Sequence, residues 1–180
     1  MRRINRQIDK LDFSILRFFS FSGKLIVKGV GVVKQSKISV RNLVEFILRR
    51  GSIDNRKKSN HTALEGAKIH RKLQKDAGED YEKEVFLKTT VHFEEYQLII
   101  EGRADGVFQK EGIYYIDEIK TSEPRYEDLE KEQIELFFHQ ARTYAYIYCH
   151  EHDLKEINLQ LTYYQTTEGI ITRKVEHQTI

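Results

Sequence analysis

The hydrophobic and polar positions of this chain change period along its length, and each change predicts an element. VRNLVEFILRR, residues 40–50, reads as a helix, and a second helix is predicted from Thr62 to Asp76, opened by Thr62 and Glu65 at capping-box spacing. Three runs rich in aromatic and β-branched residues follow at Tyr81–Val91, Tyr96–Val107 and Ile113–Thr121. Gly112 before the last run, and Ser122 and Pro124 after it, set its ends. EQIELFFHQARTYAYIYCH (Glu132–His150) predicts a long helix, and Ile157–Gln165 and Ile170–Val175 predict two further strands joined by a turn containing Gly169. Two helices, a three-stranded meander, a crossover helix and more strands imply an α/β fold, with a mixed central β-sheet flanked by helices. Upstream, Ile4, Ile8, Leu11, Ile15 and Phe18 share one helical face, and Lys24–Val33 reads as a strand or an extended arm.

Composition narrows the class. A length of 180 residues, with 39% hydrophobic and 32% charged residues and one proline, suits one substantial core and hardly two. Cys149 is the single cysteine, which excludes an internal disulfide and fits a cytoplasmic location. Arg17, Lys24 and Lys28 interrupt the apolar N-terminal stretch, so neither a secretory signal nor a membrane association is expected. The net charge of +2 conceals a division along the chain. Residues 1–60 carry 15 Lys and Arg against 4 Asp and Glu, a charge of +11, whereas residues 61–180 carry 15 against 24, a charge of −9. The basic part is densest at Arg49, Arg50, Arg56, Lys57 and Lys58, around a predicted loop from Gly51 to Asn60. It reads either as a phosphate-tracking surface or as a solvated loop. Glu127, Asp128, Glu130, Glu132 and Glu135 form the solvated start of the long helix, where negative charge favours the N-terminal dipole.

Candidate chemistry concentrates in EGRADGVF (Glu101–Phe108) and IYYIDEIKTSE (Ile113–Glu123). On a strand at Ile113–Lys120, Glu118 and Lys120 share a face, while Asp117 and Ile119 point the other way. The Gly-Arg-Ala-Asp-Gly segment is expected to bend out of its strand so that Asp105 converges on Glu118. Two carboxylates meet at a cost unless a cation neutralises them, and hard oxygen ligands suit Mg²⁺ or Mn²⁺. Lys120 could then stabilise an attacking hydroxide and the charge developing on a phosphate. An isolated Glu-x-Lys on a strand is more often a surface salt bridge. His70 in the middle of its helix, and Gln140 and Tyr144 four apart on the long helix, are also ordinary features when each stands alone.

Their combination and order are less ordinary. His70 in a helix, Gly102-Arg103-Ala104-Asp105-Gly106, Asp117-Glu118-Ile119-Lys120-Thr121 and Gln140-x-x-x-Tyr144 together resemble the RecB-like branch of the PD-(D/E)XK nuclease superfamily, over residues 37–175. The resemblance implies a restriction-endonuclease-like core over residues 37–180, with the active site at one edge of the sheet; it begins only after residues 1–36, which are left as an N-terminal extension of unassigned role. It implies a metal-dependent deoxyribonuclease acting on single-stranded DNA or DNA ends in repair, recombination or defence, with exonuclease action expected and the choice between endo- and exonuclease mode left open. By the same resemblance His70, Asp105, Glu118 and the Ile119 carbonyl bind Mg²⁺ or Mn²⁺, Lys120 is catalytic with Asp105 and Glu118, and Gln140 and Tyr144 contact nucleic acid. Some relatives continue into a helicase, so a helicase is a further expected partner. Several relatives also hold an iron–sulfur cluster on four cysteines. This chain, with Cys149 alone, has no such cluster. The alternative function is a non-catalytic nucleic-acid-binding or scaffold module on the same fold.

Overall fold

The computed structural model describes residues 24–27, 32–48, 63–93 and 96–180. The Ile4–Phe18 stripe, the Thr62 end of the capping box and the basic loop lie outside them. Two short strands come first, β1 (Lys24–Val27) and β2 (Val32–Ser39). Helices α1 (Val40–Ile47) and α2 (Ala63–Asp76) follow, then strands β3 (Glu82–His92), β4 (Tyr96–Lys110) and β5 (Ile113–Ser122). Helix α3 (Lys131–His152) crosses over to β6 (Glu156–Gln165) and β7 (Ile170–Thr179). Ser39 stops β2 and starts α1 together, because its hydroxyl accepts from the Asn42 N–H at 3.1 Å and satisfies one free donor of the first turn.

The seven strands form one mixed sheet in the order β1-β2-β4-β5-β6-β7, with β3 on the remaining edge of β4. The fold is therefore α/β with a mixed central sheet, as the pattern predicted. Strands β3, β4 and β5 run antiparallel as a meander, β6 lies parallel to β5, and β7 folds back on β6. Strand β2, which spans the start of the expected core at residue 37, pairs parallel with β4 from Lys34↔Tyr96 to Ser39↔Glu101.

That insertion decides where the site lies. Tyr96–Glu101 of β4 pair with β2, and Gly106–Lys110 pair with β5. Residues of both stretches also pair with β3, so β2 and β5 occupy the same edge of β4, one after the other. Residues 102–105 lie between them with no strand on that edge, and β5 continues past Asp117 without β4 beside it. The site forms in this fork, inside the strand order and not at an outer edge of the sheet. The core lies between the sheet and α3, whose Phe137, Phe138, Ala141, Ala145 and Ile147 are buried against Leu87, Val107, Ile116 and Leu159. Cys149 is free and buried there.

Candidate active site

Strand β4 does not leave the sheet at Gly-Arg-Ala-Asp-Gly; it runs unbroken through that segment to Lys110. Its alternation resets instead. Ala104 and Val107 both lie in the core although a strict strand would send them to opposite faces. In the β3–β4 ladder Lys83 pairs with Gly106 and Val85 with Ala104, but the pair between them, Glu84 and Asp105, drops out. The kink turns the Asp105 carboxylate into the fork, where Oδ2 accepts the Ile119 N–H at 2.7 Å. A side chain thus replaces the β4 backbone as partner of β5. The N–H and C=O of one strand residue leave on the same edge, so the Ile119 carbonyl faces the fork as well.

Glu118 and Lys120 share a face of β5, as their spacing predicted. The Lys120 ammonium stands 2.5 Å from Glu118 Oε1, donates to Gln140 Oε1 on α3 at 2.8 Å, and sits 5.4 Å from the centroid of the Phe137 ring. These contacts fix a flexible side chain in one orientation. His70 on α2 brings Nδ1 to 3.4 Å from Asp105 Oδ1. Tyr144 on α3 lies against Gly102, where an added Cβ would be 2.5 Å from the tyrosine oxygen. A glycine at 102 is thus what lets the tyrosine reach the fork. Burial, then the charges of Glu118 and Asp105, push the Tyr144 hydroxyl well above the usual tyrosine range.

Glu118 is 4% exposed. Burial raises its pKa to about 7; Lys120 opposes that rise and the charge of Asp105 adds to it. The site thus holds two carboxylates with one ammonium as their nearby permanent cation. The donors, hard oxygens and an imidazole, fit a divalent cation in chemistry. In spacing they are less complete: among the described residues no three His, Cys, Asp or Glu side chains are grouped closely enough to hold a metal ion. The structure brings His70 to Asp105, Asp105 to Ile119, and Lys120 to Glu118 and Gln140, while Tyr144 stands beside them at Gly102.

Sequence reasoning missed several residues of this neighbourhood. Gln74, one turn after His70, donates to the Asp105 carbonyl at 2.9 Å and to Glu84 Oε1 at 3.0 Å. Its spacing of four from His70 was the available signal. On the opposite face of β5, Asp117 is buried and accepts from Tyr81 (2.8 Å), Thr162 (2.7 Å) and Gln160 (3.2 Å). Burial raises its pKa and these donors oppose the rise. The Tyr81 ring lies over Gly106, where any side chain would overlap it. Neither contact has a signature in the local sequence.

No family model and no curated protein matches the chain. Among solved structures it is similar to a crystal structure described as that of SSO0001, with a TM-score of 0.54 and 16% identity over 86% of this chain and 71% of that one. A likeness at that identity bears on the fold alone. Among the described residues no helix is long and apolar enough to cross a membrane.

Proposed function

We propose that the chain is a divalent-metal-dependent deoxyribonuclease of the RecB-like type, working as an exonuclease on DNA ends or single strands in repair, recombination or defence. The observation that carries the reading is the fork between β4 and β5, where Asp105, the Ile119 main chain, Glu118 and Lys120 meet, with His70 against Asp105. His70, Asp105, Glu118 and the Ile119 carbonyl would hold Mg²⁺ or Mn²⁺. Such an ion supplies a hydroxide nucleophile near neutral pH and neutralises charge on the phosphate.

The chain's own groups do the rest. Lys120 presents a compact positive charge beside the carboxylates, placed to stabilise the developing phosphorane and the incoming oxygen. Gln140 keeps it there through the 2.8 Å hydrogen bond, which gives this glutamine a part in aiming the lysine beside its expected contact with DNA. Tyr144, held un-ionised by burial and negative neighbours, keeps its proton to donate to a phosphate oxygen. A helicase feeding single strands to the fork would be the natural partner of such a site.

One observation favours the alternative, a non-catalytic nucleic-acid-binding module. No three potential ligands are gathered among the described residues, and Lys120 is engaged with Glu118 and Gln140. Cleavage of end-labelled single- and double-stranded DNA with Mn²⁺, Mg²⁺ or EDTA separates the two. Metal-dependent products are expected from the wild type and none from Lys120→Ala, while Asp105→Ala lowers metal affinity as well. Cleavage at the wild-type rate by folded Lys120→Ala would remove the proposed mechanism. Binding of DNA and metal without products on any substrate would establish the alternative.

A further inference from the structure

Glu84, the third residue of β3, adopts φ +56°, a left-handed conformation that costs a non-glycine residue energy. Its position is opposite Asp105, and these two residues are the pair missing from the ladder. Gln74 enters at that break. Gln74 is 4% exposed, and its side-chain amide bonds both halves of the missing pair, the Asp105 carbonyl at 2.9 Å and the Glu84 carboxylate at 3.0 Å. An Arg103 guanidinium nitrogen stands 3.5 Å from the Glu84 carbonyl on the same kink, with its guanidinium over the Phe86 ring.

With the pair broken, the Asp105 carbonyl is satisfied from α2 and its side chain reaches Ile119. One amide therefore does three things: it bonds the Asp105 carbonyl at the kink, holds the strained Glu84 by its carboxylate, and ties Asp105 to the helix that carries His70. Backbone strain of this kind persists where surrounding contacts over-determine it, and it concentrates at working sites.

We infer that Gln74 and Glu84 are positioning residues, a latch across the β3–β4 kink that aims the Asp105 carboxylate into the fork. The catalytic consequence rests on the nuclease reading; the geometric one does not. The Ile119 amide reports the geometry directly, because its hydrogen-bond acceptor is Asp105 Oδ2 and not a strand backbone.

The test is amide hydrogen exchange at Ile119 in wild type, Gln74→Leu and Glu84→Gly, with urea midpoints and Mn²⁺-dependent DNA cleavage measured on the same proteins. Gln74→Leu keeps the volume and removes the donor. Glu84→Gly removes the carboxylate yet relieves the left-handed strain, so it preserves or raises the urea midpoint. Expected in both variants is Ile119 exchange faster by about tenfold or more, with Ile116 unchanged. If the wild type cuts DNA, cleavage falls by about a hundredfold, the cost of misplacing a reacting group by about an ångström. Glu84→Gly thereby separates stability from activity, which a merely structural residue would not do. Unchanged Ile119 protection in both folded variants overturns the latch, whatever the cleavage assay gives. Faster Ile119 exchange in a wild-type background that never cuts DNA supports the latch and removes the nuclease reading instead.

Discussion

Glu118 is a buried acid whose charge the protein only partly offsets. With its folded-state pKa near 7 against an ordinary 4.5, the folded protein keeps a proton that the unfolded chain has already released between these values. Unfolding then sheds a proton, so stability is fullest below about pH 4.5 and falls as the pH rises toward 7. At roughly 1.4 kcal/mol per pKa unit the loss is on the order of 3–4 kcal/mol in metal-free protein. Urea midpoints of wild type and Glu118→Gln between pH 5 and 8 check this: the wild type should weaken relative to the glutamine variant as pH rises, and saturating Mn²⁺ should reverse the difference. Parallel curves without metal would show that Lys120 compensates Glu118 fully. At this scale the sequence was a good guide, because period-two spacing alone puts Glu118 and Lys120 together. It was silent on Glu84 and Tyr81, whose partners are set by a kink and a ring crossing that no local pattern encodes, and for Gln74 it offered only the spacing of four from His70.

The element that does most to build the site is β4, and it is also where the pattern misled. The expected exit of the chain at Gly102–Gly106 rested on two glycines read as a bend. Each is instead a place where an aromatic side chain crosses the strand: Tyr144 against Gly102 on one face and Tyr81 over Gly106 on the other. Tyr81 then reaches Asp117 and fixes the side of β5 that faces away from the fork. Gly106→Ala must displace that ring and break its bond to a buried carboxylate. A loss of about 1–3 kcal/mol is expected from overpacking, with more if Asp117 loses its donor. Urea unfolding measures it, and a change below about 0.5 kcal/mol would mean that Tyr81 has another place to go. The remaining boundaries fell within a few residues of expectation because α2 and α3 are long uninterrupted helical runs, and β5 and β6 are dense in aromatic and β-branched residues between turn residues. The parallel pairing of β2 with β4 was not readable, since its partner lies about sixty residues away in the chain.

At the scale of the whole molecule, charge and cavity separate the two halves. An open cavity of about 630 Å³ lies away from the fork, by the β4–β5 turn, lined by Glu79, Asp80, Glu82, Glu111, Phe108 and Tyr148. Its acidic wall is the wrong sign for a polyanion, and none of the expected site residues lines it. Residues 61–180 carry a net charge of −9, so on the nuclease reading the basic residues 1–60 are the richest source of further phosphate contacts. Binding of single-stranded DNA by Lys120→Ala, which is not expected to cut it, makes that quantitative. Each neutralised phosphate contributes about 0.7 to the slope of log K against log salt. Replacing Arg49, Arg50, Arg56, Lys57 and Lys58 by Gln should reduce that slope by about 2–3.5 if three to five of them contact the backbone. An unchanged slope would assign the basic run to solvation and move the DNA path to other lysines and arginines of residues 1–60.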